Sequence, residues 1–474
     1  MATGTEATPE TAPARLRQGS IGPVGMIFMV VAATAPLTAL ATNIAVGLGY
    51  GVGVGTVGLF VAVAVVLGIF SVGYLLLARY VRSAGGQAAF VSFGLGKPAG
   101  TAIAFVATIA YNAAVAGMVT ATSFYGCLAI EQLTGVTIPW YVAAVAVLVL
   151  IGLLGLRGVQ AADKVTLVAS LLQFVFVGAL AVAVLVQRPE GWTLEPFEPG
   201  RMFSGNLALT LVFVLLSFAG FEASTIYSEE ARGGHRSVRI ATYASLALLT
   251  VVFVVATWTL VAAYPDVAAV AAADPASVVT TMADQYIGSW SGSAILVLIT
   301  VSFFGAAIAL HNLAVRYQYA LARAGLLPAA LLRTSGRHAS PYVSSLVQVG
   351  VSFVLLVPFV LIDADLFATL LPAISGITAL SLIAMMASAS VSVIVARARN
   401  RITGGLFASR IAPGLSAVVL LGVGVLIVAN YPAVTGSESP VIAAMPLIPL
   451  LAGVYGAIRQ SRLPDSPGVE GYLD

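Results

Sequence analysis

Residues 206–237, NLALTLVFVLLSFAGFEASTIYSEEARGGHRS, are the most informative part of the chain. A long apolar run breaks at Ser217, resumes briefly after Glu222 and then gives way to charged residues. Gly220 relaxes the backbone at the break, and Glu222 is an acidic side chain inside an apolar span. Backbone that is not helical is tolerated at bilayer depth only where protein, water or a ligand bonds its N–H and C=O groups. The stretch therefore predicts a broken membrane helix that contributes to a substrate site.

The composition is typical of a membrane protein. Of the 474 residues, 59% are hydrophobic and only 9% are charged, and the mean hydropathy is +1.02. A soluble domain has about 25% charged residues. The net charge of +3 gives no reason to expect a nucleic-acid partner. The single cysteine, Cys127, excludes an intrachain disulfide and a cysteine zinc cluster.

Apolar runs long enough to cross about 30 Å of hydrocarbon follow one another along the chain. We therefore expect an all-α polytopic membrane protein with twelve transmembrane helices. The predicted spans are 23–46, 54–78, 98–128, 139–157, 164–187, 206–228, 239–262, 291–322, 342–362, 366–396, 412–430 and 441–459. Residues 1–20 are polar and predict a disordered cytosolic tail.

Basic residues lie mainly on one side of the predicted membrane. With a cytosolic amino terminus, the inside loops hold clusters such as Arg232, Arg236 and Arg239, whereas the outside loops hold only Arg188 and Arg201. This asymmetry follows the positive-inside rule and predicts that both termini are cytosolic. The basic loop from Arg232 to Arg239 has two interpretations: an inner seal in one transport state, or topology and lipid headgroups alone.

The first predicted span contains a second interruption, MVVAATAPLTALATN, around Pro36. Proline has no N–H to donate, so the helix is weakened there. Broken helices at matching positions of two halves are typical of inverted-repeat transporters with a site near the midplane. A zwitterion fits between such breaks, with its carboxylate on the N–H groups near residues 34–37 and its ammonium on the carbonyls near residues 216–219.

The repeat defines the predicted organisation of the chain. The first five-helix repeat covers 21–187, and the second covers 188–396 with an outside loop. Helices eleven and twelve follow in 397–460, and 461–474 form a second cytosolic tail.

Two motifs resemble one transporter family. FAGFEASTIYSEEARGGHRSVRIA, at 218–241, is similar to the sixth-helix signature of the amino acid, polyamine and organocation permeases. RYQYALARAGLLP, at 316–328, resembles the end of helix eight in that family. The resemblance implies the five-plus-five inverted repeat of the LeuT-like fold, with helices 1 and 6 broken. It also implies transport of amino acids or related amines.

The resemblance assigns roles to individual residues. Glu222 matches a glutamate that couples the site to gate movement; alternatively, it is a protonated side chain that caps nearby backbone. Asn112 aligns with an asparagine that touches substrate, or it ties two helices together. Leu216 stands where some exchangers place an aromatic lid. The predicted substrate-binding residues are Ala33, Thr34, Ala35, Pro36, Leu37, Asn112, Leu216, Ser217, Phe218, Ala219, Gly220, Phe304 and His311.

The coupling mode is left open by the sequence. Proton-coupled relatives carry a lysine in helix five at the position of Gln173, and glutamine does not titrate near neutral pH. This leaves Glu222 and His311 as membrane groups able to carry a proton. His311 is either a proton relay or a fixed hydrogen-bonding group. Exchange, facilitated diffusion and proton symport all remain possible.

The sequence favours transport over catalysis. It has no Walker loop, HExxH or GxSxG motif, so we expect no enzyme activity, cofactor or resident metal. No second acid accompanies Glu222 at the predicted site, which favours a neutral, zwitterionic amino acid, because an unpaired charge is costly at the midplane. The alternatives are a polyamine or other organocation permease, and an amino acid sensor that does not transport. We expect a plasma-membrane location; the oligomeric state is not indicated.

Overall fold

The computed structural model describes residues 22–23, 26–27, 36–81, 86–157, 161–221, 232, 234–334 and 340–463. Helices joined by turns make up the described residues, with no strand among them. We label the helices that coincide with the predicted spans α1 to α12. They are α1 Pro36–Gly49, α2 Thr56–Leu77, α3 Lys97–Thr134, α4 Trp140–Arg157, α5 Ala161–Gln187, α6 Leu207–Ser217, α7 Gly234–Ala263, α8 Ser291–Arg323, α9 Tyr342–Leu361, α10 Leu371–Ala398, α11 Ala412–Ala429 and α12 Leu447–Ser461.

Shorter helices lie in the connections. Gly86–Leu95 precedes α3, and Val267–Ala273 and Val278–Tyr286 lie between α7 and α8. The two helices between α7 and α8 are packed into the fold, because side chains on both are buried, among them Val267, Ala271 and Met282.

Seven helices in the described ranges are long and apolar enough to cross a membrane, namely α2, α3, α7, α8, α9, α10 and α11. An eighth is obtained if Leu171–Gln187 of α5 is joined to Pro189–Phe197 across a bend of 106°. Helices α1, α4 and α6 are apolar but shorter. α1 is described only from Pro36, and α6 ends at Ser217, where the sequence predicts interruptions. The chain is thus a multi-pass helical membrane protein, and the count of twelve spans stays a prediction.

Helix ends follow local sequence. α3 begins after Gly96, has a proline in its first turn and ends at Gly135, whose positive φ of 75° closes the helix. α6 begins after Asn206, whose side chain accepts a hydrogen bond from the N–H of Leu209 at 3.1 Å. With 38 residues, α3 is about 57 Å long and therefore exceeds the hydrocarbon thickness.

The core is a large apolar cluster, in which α3 packs along α8, α10 and α12 and α2 packs against α7 and α11. A small second cluster joins Leu75 of α2 to Val238 and Ala241 of α7. The outer faces are also apolar. Val354 on α9 and Val418 and Val425 on α11 are each about 70% exposed. Apolar faces of this extent are typical of a protein surrounded by lipid, because their exposure to water would be unfavourable.

Candidate substrate-binding site

The predicted break in α6 lies where the sequence suggests. The helix ends at Ser217, and the N–H groups of Phe218 and Ala219 turn back to the carbonyls of Leu215 and Leu216 at 3.2 and 3.0 Å. Gly220 then adopts a φ of +97°, which residues with a side chain rarely adopt. Glu222 lies outside the described residues, so its gating role stays a prediction.

Helix α1 is irregular beside the break in α6. Residues Leu40–Ile44 form a π turn within Pro36–Gly49. The hydroxyl of Tyr125 on α3 donates to the carbonyl of Ala41 in this turn at 2.7 Å. π turns interrupt the regular hydrogen-bond pattern and occur often at functional sites. Three predicted binding residues, Ala33, Thr34 and Ala35, lie outside the described residues.

Gln173 on α5 fixes the first described turn of α1. Its side-chain carbonyl accepts a hydrogen bond from the backbone N–H of Leu37 at 3.0 Å. Its amide group donates to the hydroxyl of Ser302 on α8. Gln173 is fully buried, so both bonds are protected from water. Gln173 therefore joins three helices, a role that the sequence did not reveal, since it showed only the absence of a lysine.

Helices α1 and α6 are joined directly. The amide of Asn43 donates to the hydroxyl of Ser217 at 2.9 Å, and this hydroxyl donates in turn to the carbonyl of Phe213 at 2.8 Å. The two irregular segments thus meet at a pair of polar side chains. We refer to Leu37, Ala41, Asn43, Gln173 and Ser217, with the groups bonded to them, as the junction.

Aromatic side chains anchor the α6 break to α2 and α7. The ring of Phe218 packs against Phe60 and Phe253, with centroid distances of 5.9 and 5.5 Å. Phe221 packs against Phe70 at 6.3 Å. Phe218 was predicted to bind substrate, and the structure packs its ring between helices, with 1% of its surface exposed.

Asn112 connects α3 to α8, as one of the two interpretations of its sequence position expected. Its amide donates to the carbonyl of Thr108 at 2.7 Å, and its carbonyl accepts from Gln318 on α8 at 3.3 Å. The side-chain oxygen of Gln318, Oε1, is buried without a hydrogen bond in the described structure, as are Oε1 and Nε2 of Gln87. Buried polar groups of this kind need water or a ligand. A role of Asn112 in substrate binding stays a prediction.

The other predicted residues of this region have ordinary packing. Leu216, Ala219 and Phe304 are partly buried against the core. It is the neighbouring Phe303 whose ring stacks on Tyr125, at 5.7 Å and an interplanar angle of 11°. The sequence analysis selected Phe304, and only the fold shows that its neighbour Phe303 supports the residue that holds the π turn.

His311 belongs to a separate buried cluster between α8 and α9. Its Nδ1 faces the side-chain carbonyl of Gln348, and its Nε2 lies 2.9 Å from the hydroxyl of Ser345. Gln348 donates onward to Ser352 at 2.8 Å. Because the Gln348 carbonyl can only accept, a neutral imidazole carries its proton on Nδ1 and accepts from Ser345 at Nε2. We refer to His311, Ser345, Gln348 and Ser352 as the His311 cluster.

Glycine makes room for this cluster. Gly155 on α4 lies so close that a Cβ atom there would be 2.7 Å from Nε2 of His311 and 2.8 Å from Oγ of Ser345. Helices α4, α8 and α9 therefore meet at His311, away from the junction.

The interior carries no fixed charge in the part of the chain that the structure describes. Its buried polar side chains are Ser, Thr, Asn, Gln and His, with no buried Asp, Glu, Lys or Arg. The junction therefore offers hydroxyls, amides and backbone dipoles. In the same ranges, no three His, Cys, Asp or Glu side chains form a group that could hold a metal ion.

Two kinds of known protein are similar to this chain. The branched-chain amino acid permease BcaP of Bacillus subtilis (strain 168) is 23% identical over 208 residues, which are 44% of this chain and 43% of BcaP. The chain thus matches less than half of that relative. Among solved structures, a manganese transporter of Eremococcus coleocola in complex with an aromatic bis-isothiourea substituted compound has a TM-score of 0.55 at 13% identity, covering 93% of this chain and 95% of the other.

A glutamate-to-alanine mutant of that manganese transporter gives a TM-score of 0.52 at 12% identity, over 91% of this chain and 95% of the other. Identities this low show a shared fold alone and do not transfer the manganese cargo. The model of the amino acid permease family matches residues 21–454. Because this match covers nearly the whole sequence, the chain belongs to the amino acid permease family of membrane transporters.

Proposed function

We propose that this protein is a secondary active transporter that moves neutral, zwitterionic amino acids across the plasma membrane by alternating access. The observation that carries the proposal is the hydrogen bond between Asn43 and Ser217, which joins the irregular part of α1 to the end of α6 at 2.9 Å. A site between two interrupted helices supplies partial positive and negative charge from backbone groups, which suits a zwitterion.

The absence of buried charge among the described residues supports a substrate without net charge. A diamine or an acidic amino acid would bring an uncompensated charge into the interior, at a cost of several kcal/mol or more. The partial match to a branched-chain amino acid permease supports an apolar side chain on the substrate. We therefore place leucine, isoleucine and valine first among the candidates.

In this proposal the carboxylate of the substrate lies on backbone N–H groups near residues 34–37, where Pro36 offers none, and the ammonium lies on carbonyls near residues 216–219. The N–H of Leu37 is bonded to Gln173 in this conformation. When the substrate binds, its carboxylate would replace the Gln173 carbonyl as the acceptor of the Leu37 N–H. Gln173 thus satisfies this N–H while the site is empty. Asn112, Phe304 and Glu222 keep their predicted substrate and gating roles as part of the proposal.

The proposed movement is a rocking of α1, α2, α6 and α7 against α3, α4, α8 and α9. The aromatic contacts of Phe218 and Phe221 support the first group as a unit, because they fasten the α6 break to α2 and α7. The His311 cluster supports the second group, because it fastens α8 to α9 beside α4.

The proposed repeats remain 21–187 and 188–396, with 397–460 outside the repeat and cytosolic tails at 1–20 and 461–474. Of the three coupling modes we favour exchange. Gln173 does not titrate, and His311 is fully hydrogen-bonded as a neutral ring. Exchange needs no proton carrier at either position.

The test begins with thermal unfolding of the purified protein in the presence of neutral, basic and acidic amino acids and of diamines. Counterflow in liposomes loaded with the best stabilising compound follows. We expect branched-chain amino acids to stabilise the protein and to drive counterflow without a proton gradient.

Each other result has a definite meaning. Stabilisation without counterflow would identify a sensor, and stabilisation by diamines alone would identify an organocation permease. Counterflow that requires a proton gradient would replace exchange by symport. Protein-free liposomes provide the background.

A further inference from the structure

A cavity of about 460 Å³ lies at one end of the molecule, remote from the junction, where α2 and α7 meet the segment before α11. Its walls are the last two turns of α2, the first three turns of α7 and residues 404–408. The lining residues are Val72, Leu75, Leu76, Arg79, His235, Arg239, Tyr243, Gly404, Gly405 and Ala408.

The cavity is basic at one end. Arg79, His235 and Arg239 line it, and none of the lining residues in the described ranges is acidic. Within the described parts of the chain, the guanidinium groups of Arg79 and Arg239 make no hydrogen bond and no ion pair. Nearby Arg399 and Arg401 differ, because they donate to backbone carbonyls at 3.0 and 2.6 Å. The cavity thus holds two guanidinium groups that the described fold does not use.

The walls change from basic to apolar along both helices. On α7, His235, Arg239 and Tyr243 are spaced by four residues and share one face. On α2, Arg79 lies at the end of the helix, with Leu75 one turn and Val72 two turns further into the molecule. The cations therefore lie at the mouth and the apolar side chains lie deeper.

The third wall is held in place by specific contacts. The hydroxyl of Tyr80 bonds to both the carbonyl and the N–H of Thr403, at 3.0 and 2.9 Å. Gly404 approaches Leu76 so closely that a Cβ atom would lie 2.9 Å from its Cδ2. The segment before α11 is thus fastened to the end of α2, and the cavity is built into the fold.

We propose that this cavity binds an anionic phospholipid, with the headgroup phosphate on Arg79 and Arg239 and an acyl chain along Val72, Leu75 and Tyr243. A phosphate oxygen fits the planar donors of arginine, and two arginines compensate its charge. The apolar walls behind the cations distinguish a lipid from a free phosphate, which has no apolar part to bury. The basic loops predict that this end faces the cytosol, where anionic headgroups attract arginine.

The test measures thermal unfolding of the detergent-purified protein during titration with phosphatidylglycerol. Parallel titrations use phosphatidylcholine, glycerol 3-phosphate and inorganic phosphate. We expect only phosphatidylglycerol to raise the melting temperature. Each arginine near an anionic surface contributes about fivefold in affinity. Arg79→Gln together with Arg239→Gln is therefore expected to require about 25-fold more phosphatidylglycerol for the same rise.

The matched control is Arg236→Gln, which removes an exposed arginine of α7 outside the cavity and should leave the titration unchanged. If the double variant does not fold, the two single variants provide the test, each with a loss of about fivefold. An equal response to phosphatidylcholine would overturn the proposal, as would an undiminished response of the arginine variants. Equal stabilisation by free phosphate would show that the cavity takes a soluble anion.

Discussion

The junction and the His311 cluster are both buried and polar, but their side chains bond to different partners. In the junction, Gln173 and Tyr125 bond to backbone groups of α1, at the N–H of Leu37 and the carbonyl of Ala41. In the His311 cluster, side chains bond to one another between regular helices. Where a side chain bonds to an irregular stretch of backbone, a ligand can take its place and bond to the same N–H or C=O group. In a network in which the side chains bond only to one another, no hydrogen-bonding group is left for a ligand. We therefore expect the junction to control transport and the cluster to control stability.

The largest effect is expected from Gln173→Leu. The substitution keeps the size of the side chain but removes the acceptor of the Leu37 N–H and the donor to Ser302. An unsatisfied buried N–H costs about 1–3 kcal/mol, so counterflow should fall by about fivefold to about 150-fold. The control is Gln187→Leu on the same helix, which removes only a part-buried bond to the carbonyl of Tyr286. Equal losses in the two variants would contradict a special role for Gln173.

Gly155→Ala should affect stability and leave substrate affinity unchanged. Its new methyl group would overlap His311 and Ser345, and overpacking of this kind costs about 1–3 kcal/mol. We expect a lower melting temperature with an unchanged KM in counterflow. Gly178→Ala on α5 is the control, because no described atom outside its own stretch of helix lies within 4 Å of its Cβ position. A changed KM at an unchanged melting temperature would place the cluster in the transport site.

Ser217→Ala should weaken substrate binding by about fivefold, since one hydrogen bond between membrane helices is worth about 1 kcal/mol. The change removes the acceptor of Asn43 and with it the hydrogen bond between α1 and α6. Ser123→Ala is the matched control, because Ser123 is a buried serine whose hydroxyl donates to the carbonyl of Val119 on its own helix. The measurement is the amino acid concentration that gives half-maximal stabilisation, and equal values for both variants would oppose the role of Ser217.

The smallest effect is expected from His311→Gln. Glutamine can bond to Ser345 and Gln348 but cannot take up a proton. If His311 is a fixed hydrogen-bonding group, the pH profile of uptake stays as in the wild type. A profile that flattens in this variant would support the proton relay and weaken the contrast between the two regions.

The two regions also differ in how far the sequence predicted them. The interruption at Ser217 and Gly220 was readable because it is local: a glycine and a hydroxyl interrupt an apolar run. The pairing of Asn43 with Ser217 was not, because the two residues are 174 positions apart and meet only after the helices pack. The sequence drew attention to Gln173 only because related transporters have a lysine at its position. Nothing in the neighbouring sequence indicates that its side-chain carbonyl reaches the N–H of Leu37.

The His311 cluster had a signal that was overlooked. Ser345, Gln348 and Ser352 recur at intervals of three and four residues, so they share one face of α9. A polar stripe on an apolar helix predicts a buried partner. The sequence could not identify that partner as His311, because the choice depends on the rotation of α8 relative to α9.

The π turn at Leu40–Ile44 has a consequence for chain length. A π turn accommodates one residue more than a regular turn. Deleting a single residue there would let α1 become regular, and because the π turn holds one residue in excess, the backbone on both sides would keep its register. Leu37 would still face Gln173. A single-codon deletion in this segment is therefore expected to leave the two sides of the site aligned, whereas the same deletion in the regular helix α2 would rotate the preceding turns by about 100° and shift them by about 1.5 Å.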